Sequence, residues 1–345
     1  MAKPLRIAID VMGGDHGLRS SLPAAVSSLQ QFPQLHIVLV GVAELIRLEL
    51  NKLAPARGVD LARLEIVDAP EIVGADERPV SALRYKTQSS MRIAMDMLSA
   101  RSVDAVVSAG NTGALMAMGL FVLKTLPNID RPAICAPLPT RKGSTLILDL
   151  GANVDCSAVQ LHQFAAMGSA LAAIAGIVRP RIALLNIGEE QIKGNEQVRN
   201  AAVLIEADRY LNYCGFIEGD KIFYGAADVI VCDGFVGNVA LKVCEGTAGF
   251  IVDKMRAGFL RTLTMRLRGM LAKPALQSLY AELDPQRYNG AFLLGLQGVV
   301  VKSHGNSSAS GFQYAIERAV VAAEQNLLDL IVRHLAQFQE SPPQK

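Results

Sequence analysis

Tryptophan is absent from this 345-residue chain, and aromatic residues make up only 5% of it. Stacking on nucleic-acid bases relies on such rings, so a nucleic-acid function is disfavoured. Neither sign of charge dominates: 34 Lys and Arg stand against 32 Asp and Glu, a formal net charge of +2. No bulk attraction to nucleic acid follows from that balance. The five cysteines, Cys135, Cys156, Cys214, Cys232 and Cys244, include no pair at CxxC spacing. That pattern fits buried, reduced thiols of a cytosolic protein better than disulfides or zinc. No constellation for a metal or another cofactor is visible. The opening MAKPLRIAID lacks the apolar core of a signal peptide, and no apolar run is long enough to span a bilayer. GxGxxG, Walker A, nucleophile-elbow and HExxH patterns are missing, which leaves dinucleotide binding of the Rossmann type and a covalent intermediate unsupported.

What is present is apolar and regular. Hydrophobic residues make up 51% and charged ones 19%, ample for a large core. Strand-like runs alternate with helical ones along the whole chain, which indicates a doubly wound, mostly parallel α/β sheet. We expect one domain over 1–340, with room for two lobes around a cleft, and a frayed tail at 341–345. The expected strands include Leu5–Val11, Leu35–Gly41, Leu64–Asp68, Asp104–Ser108, Ala133–Pro137, Thr145–Leu150, Tyr213–Gly219, Asp228–Asp233 and Val299–Lys302. Long helices are expected over Ser81–Ala100 and Gln160–Val178, and one final helix to about Phe338.

The chain is organised around Arg181–Glu196, RIALLNIGEEQIKGNE. A buried strand turns polar within three residues, at Asn186, Gly188, Glu189, Glu190 and Lys193. Ligands of open α/β sheets bind outside the carboxyl ends of strands, so this turn is a candidate site. A solvated turn beside a helix cap explains it equally well. Other strand ends carry similar chemistry. Asp10 is followed by Gly13, Gly14, Asp15 and His16; a second turn holds Gly110, Asn111, Thr112 and Gly113; a third holds Asp233, Gly234 and Asn238, ahead of Lys242. Backbone N–H groups at a glycine turn and helix start suit an anion, although Asn111, Thr112 or Asp15 can equally serve as ordinary caps. Several such ends in one sheet would converge on a single cleft. Gly246–Lys273 begins a basic amphipathic segment, extending to about 285, with Arg261, Arg266 and Arg268 on it. It suits an anionic membrane surface or an acidic partner, or else a core-packed helix with a solvated face.

The segments IAIDVMGGDH, SAGNTGALM, LDLGANVDC, LLNIGEEQIKGNE, VCDGFVGNVALK and YNGAFLLGLQGVVVKSHG, in this order, resemble the bacterial phosphate acyltransferases, the PlsX family. The resemblance covers the chain from about Ile7 to the last helix. It implies a fold similar to phosphotransacetylase and the isocitrate/isopropylmalate dehydrogenases, and a homodimer. It implies transfer of a long-chain acyl group from acyl-acyl carrier protein to inorganic phosphate, feeding phospholipid synthesis. The acyl phosphate would pass to a membrane glycerol-3-phosphate acyltransferase, from a cytoplasmic enzyme with peripheral membrane contact. On this reading Lys193 and the Asn111/Thr112 turn hold phosphate or the oxyanion, while Asn186, Asp233 and Asn238 orient ligands. His304, of a residue type that titrates near working pH, is the candidate proton donor to the leaving thiolate. Competing readings are a phosphotransacetylase using acyl-CoA, a nicotinamide-dependent dehydrogenase of the related fold, and a non-catalytic scaffold.

Overall fold

The computed structural model of the chain describes residues 4–53, 60–262, 264–265 and 285–340. The first half runs β1 (Leu5–Asp10), α1 (Leu18–Gln31), β2 (Leu35–Gly41), α2 (Ala43–Leu53), β3 (Leu64–Asp68), α3 (Pro79–Tyr85), α4 (Ser90–Ser99), β4 (Ala105–Ser108) and α5 (Thr112–Val122). The second runs β5 (Ala133–Thr140), β6 (Gly143–Leu148), α6 (Ala158–Ile174), β7 (Arg181–Leu185), α7 (Glu196–Ala207), β8 (Asn212–Ile217), β9 (Val229–Val231) and α8 (Gly234–Leu260). The chain then closes with β10 (Ala291–Leu294), β11 (Val299–Lys302), α9 (Ala309–Glu324) and α10 (Leu327–Glu340).

Among the described residues, eleven strands share one sheet in the order β3-β2-β1-β4-β11-β10-β5-β6-β9-β7-β8. The runs expected to be buried strands are buried: Ile7, Ile9, Val106, Val107, Ile182 and Leu184 are at most 1% exposed, as strands covered on both faces require. The sheet is mostly parallel but falls into two halves. β3, β2, β1, β4 and β11 run one way. β6, β9, β7 and β8 run the other. The antiparallel pairs β11–β10, β10–β5 and β5–β6 join them.

This reversal sets the site. Lys302 pairs with Ala291, Phe292 with Cys135, and Ala136 with Ile147. The carboxyl ends of β4 and β11 therefore finish nearly level with the carboxyl end of β6. Three strand spacings, about 14 Å, separate β11 from β6, and β4 lies one spacing further. β5 continues past the start of β10 to Thr140 with β6 as its partner there. The Ile134 N–H and C=O both bond on the β6 side, so alternation turns Pro137 and Pro139 toward the side that β10 has left. A proline costs nothing at such an edge, because no N–H is needed there.

Several expectations change. The helix expected over Ser81–Ala100 is two, since Ser89 accepts a hydrogen bond from Arg92 N and starts α4 afresh. The final helix is also two, parted at Gln325 and Asn326, the latter with φ of 52°. The glycine-bounded AFLL stretch, which is not among the expected strands, is a full strand, β10, because its neighbours on both sides satisfy it. The helix carrying Lys242 and the segment from Gly246 form one helix, α8. Over Gly234–Phe259 this helix is long and apolar enough to cross a membrane by length and composition, whereas the sequence reading found no such run. Asn238, Lys242 and Glu245 interrupt the run as read along the chain; taken together, its residues still average as apolar. Phe235, Val243 and Phe250 on α8 are each more than 60% exposed. Arg266, Arg268 and most of 246–285 beyond Arg261 lie outside the described residues, as does the tail at 341–345.

Candidate active site

Three strand-end turns of the first half are packed into one polar cluster. The β1 turn meets the β4 turn where Gly13 faces Gly110: a Cβ on Gly13 would lie 2.6 Å from the Gly110 nitrogen and 2.8 Å from Asp10 Oδ2. Only glycine admits that approach. The β1 turn meets the β11 turn through Asp15 N–H, which donates to Gly305 O at 2.8 Å. Asp10 lies beneath them, 1% exposed. Its carboxylate accepts from Ser90 Oγ at 2.6 Å, Ser108 Oγ at 2.7 Å and Met12 N at 3.2 Å. Burial pushes its pKa up, and those hydrogen bonds oppose the rise.

Lys302, the last residue of β11, is the cation of this cluster. Its Nζ donates to Ala109 O at 3.1 Å and to Ser303 O. Burial lowers its pKa to about 8, while Asp10 and Asp15 act to raise it. Next to it, Asn289 organises the β11 turn. Its Nδ2 donates to Ser303 Oγ at 2.8 Å and its Oδ1 accepts from His304 N at 2.8 Å. His304 Nδ1 accepts from Asn306 N at 3.3 Å. An accepting Nδ1 leaves the neutral ring's proton on Nε2.

The second half contributes a different turn. Asp149, fully buried, accepts from Ile134, Gly151 and Ala152 N–H on Oδ1 and from Asn153 N–H and Nδ2 on Oδ2, at 2.7–3.1 Å. Burial raises its pKa against these bonds. α8 starts hard against this turn: a Cβ on Gly237 would collide with Asp149 O.

Between the two turns opens a cavity of about 1460 Å³. One wall is the outer face of α5, with Thr112, Gly113, Met116 and Leu120. A second is β5, with Ile134, Ala136 and Leu138, and the β6 end, with Leu150 and Gly151. α8 supplies Asn238, Leu241, Lys242 and Glu245, and the β11 end supplies Lys302, Ser303, His304 and Asn306. The cavity thus joins a polar head to a long apolar body.

Of the residues singled out in the sequence, Thr112, Gly113, Asn238, Lys242 and His304 line this cavity. Asp10, Gly13, Gly14, Asp15 and Gly110 build the cluster behind its head. Gly14 packs tightly there, since a Cβ on it would lie 2.8 Å from Gly305 O. His16 is exposed on the same turn. Asn111 is committed to the fold: its Oδ1 caps α5 at Ala114 N, and its Nδ2 holds Ala75 O and Glu77 O. Asp233 caps α8 by accepting from Val236 N at 2.8 Å, with the buried Gly234 beside it. Lys242 is ion-paired with Glu245 at 2.7 Å. The Asn186–Lys193 turn does not line the cavity. It lies at the end of β7, two strands beyond β6. Lys193 is exposed there, Asn186 Nδ2 donates to Lys193 O, and Glu189 is paired with Lys221 at 2.6 Å, with the buried Gly188 between. Arg261 is exposed at the end of α8.

Three residues of the site had escaped the sequence reading. Lys302 closes an apolar strand directly before SHG, and a cation at that position was the available signal. Asp149 and Asn289 read as ordinary turn residues, since nothing local announces how many N–H groups they collect.

A family model described as "Fatty acid synthesis protein" matches residues 5–330. A phosphate acyltransferase of Pseudomonas syringae pv. syringae is 55% identical over 327 residues, 95% of each chain. Among solved structures, a phosphotransacetylase from Streptococcus pyogenes shares the fold with a TM-score of 0.62 at 19% identity, over 94% of this chain and 95% of its own. A 4-hydroxythreonine-4-phosphate dehydrogenase from Klebsiella pneumoniae matches with a TM-score of 0.52 at 16% identity, over 92% and 99%.

Proposed function

The chain belongs to the phosphate acyltransferase family, whose members are described as fatty acid synthesis proteins, and from that premise we propose that it transfers a long-chain acyl group from acyl-acyl carrier protein to inorganic phosphate. That it is an acyltransferase, and that phosphate is the acceptor, follow from the family. The observation that carries the finer reading is the joined cavity, where Lys302 and His304 close one end of a long apolar cleft.

In this reading phosphate sits at the first turn of α5. The Thr112 and Gly113 N–H groups have no carbonyl to bond within the helix, and a helix start favours an anion. Lys302 supplies the countercharge. A phosphate oxygen attacks the thioester carbonyl carbon, and negative charge builds on the carbonyl oxygen. The carbon–sulfur bond then breaks and the carrier leaves as a thiolate. The proton that hydrogen phosphate gives up as it becomes acyl phosphate turns the thiolate into a thiol, with the His304 Nε2–H hydrogen-bonded to the departing sulfur. Asp10 keeps its place behind Lys302 as a positioning residue, held by Ser90 and Ser108. The Lys193 turn stands outside this scheme because it does not reach the cavity.

The carrier protein is acidic, and the exposed Lys254, Arg256 and Arg261 on α8 give it a basic approach. The exposed Phe235, Val243 and Phe250 on the same helix support a homodimer contact or peripheral contact with a membrane. The acyl phosphate then reaches a membrane glycerol-3-phosphate acyltransferase for phospholipid synthesis, from a cytoplasmic enzyme.

The test is acyl phosphate formation from palmitoyl-acyl carrier protein and phosphate, with palmitoyl-CoA as the parallel donor. Phosphate-dependent product from the carrier-protein donor is the expected result. Product from the CoA donor alone would make the chain a phosphotransacetylase-type enzyme instead.

A further inference from the structure

The face of α5 that looks into the cavity has a regular spacing. Thr112, Met116 and Leu120 recur every four residues, so they stand in one line along the helix. The residues behind them, Ala114, Leu115 and Met118, are fully buried in the core, which fixes the helix in rotation. Ile134 and Ala136 on alternate positions of β5 face the same space, with Leu150 beside them. The slot between these walls is apolar from the Thr112 end onward. The cavity's other reach, toward Arg141, Lys242 and Glu245, is charged, and covering those groups with a hydrocarbon would cost free energy.

We propose that the slot between α5 and β5 holds the acyl tail, and that Leu120 is the residue the tail must pass, which makes it a determinant of chain length. The proposal rests on the acyl-transfer reading above. Eight residues separate Thr112 from Leu120, a rise of about 12 Å along the helix. An extended hydrocarbon advances about 1.25 Å per carbon, so a chain with its carbonyl at Thr112 reaches Leu120 near its tenth carbon. A decanoyl group ends at Leu120, and a palmitoyl group continues beyond it. Leu120 is half-buried: it packs against the core behind α5 on one side and lines the cavity on the other, so the melting temperature of a Leu120 variant is read beside its turnover.

The experiment compares kcat/KM for decanoyl- and palmitoyl-acyl carrier protein in wild type, Leu120→Trp and Phe121→Trp. Phe121 is 61% exposed and does not line the cavity, so it controls for a bulky change on the same turn. Leu120→Trp is expected to lower the palmitoyl-to-decanoyl ratio about tenfold or more, in keeping with the discrimination a shaped apolar pocket achieves. Decanoyl turnover should stay within about threefold, and Phe121→Trp should leave the ratio unchanged. A ratio unchanged in Leu120→Trp, with decanoyl turnover intact, overturns the assignment while acyl transfer stands. Loss of both activities with an unchanged melting temperature also overturns it, because a distal block must spare the short chain. Absence of acyl phosphate from either donor in the wild type means that the underlying reading itself has failed.

Discussion

Replacing Lys302 with alanine removes the half-buried cation at the head of the cavity and tests the proposed phosphate seat directly. Its pKa, lowered to about 8 by burial, leaves about nine-tenths of the side chain charged at pH 7. Two unit charges about 4 Å apart interact by about 4 kcal/mol at an effective dielectric of 20. Losing one preorganised partner of a developing oxyanion costs a similar amount, about 3–4 kcal/mol. Lys302→Ala should therefore lower kcat/KM for phosphate by about 10²–10³. The pH profile adds a second readout. kcat/KM reports ionisations of the free enzyme, so it should fall tenfold per pH unit above about 8. Lys302→Arg should flatten that limb, because a guanidinium stays charged. The alkaline loss is not unfolding at this site. A lysine whose pKa is lowered by folding binds fewer protons folded than unfolded, so its contribution to stability rises between pH 8 and about 10.4. Lys302→Ala within threefold of wild type, or an alkaline limb shared by wild type and Lys302→Arg, would refute the assignment.

Lys193→Ala should retain activity within about threefold, whereas His304→Asn should lower kcat by about 10²–10⁴; steady-state kinetics with the carrier-protein donor decide both. A thioester with a more acidic thiol should narrow the His304→Asn defect, since a better leaving group needs less stabilisation from a hydrogen-bond donor. Asp149→Ala strips the acceptor from five hydrogen bonds and should cost about 3 kcal/mol or more in urea unfolding. A further prediction concerns the buried cluster under α10. Asp208 Oδ2 lies 2.9 Å from His162 Nε2 and 4.0 Å from His334 Nε2, with the Tyr210 ring against His334. Burial lowers the His334 pKa, with Asp208 opposing. An unfolded histidine takes up its proton near pH 6.5 while the folded one resists, so stability is lost as pH falls below about 6.5. His334→Phe should reduce the drop in melting temperature between pH 7 and 5.5; an identical drop in the variant would remove His334 as its source.

Much of the fold was legible because local chemistry sets it. β1, β4 and β7 read as buried strands from runs such as IAI, AVV and IALL, and the turns that follow read from their glycines. The reversal between the two halves was not legible. It depends on β10, four residues between two glycines, too short for any period to register. The head of the site was half legible. Asp10, the Gly13–Gly14 turn and His304 carry polar or glycine signals at strand ends. Lys302 looks like a solvated lysine until Asp10 and Ser108 are placed beside it. Polarity alone could not separate that end from the Lys193 turn, since both have glycine, amide and cation. Burial separates them, and burial is decided by strands far apart in sequence.

The placement of β11 has a consequence for synthesis. β4 has β1 on one side and β11 on the other, yet 193 residues separate Ala109 from the lysine that reaches it. At a translation rate of about 5–20 residues per second, the inner edge of β4 waits on the order of 10–40 s for its partner. Until then Ala105–Ser108 offers unpaired N–H and C=O groups on an apolar strand, an invitation to foreign strands. The nascent first half should therefore depend on chaperones until about residue 302 has left the ribosome, and the Lys302 end of the cleft is among the last features of the chain to exist.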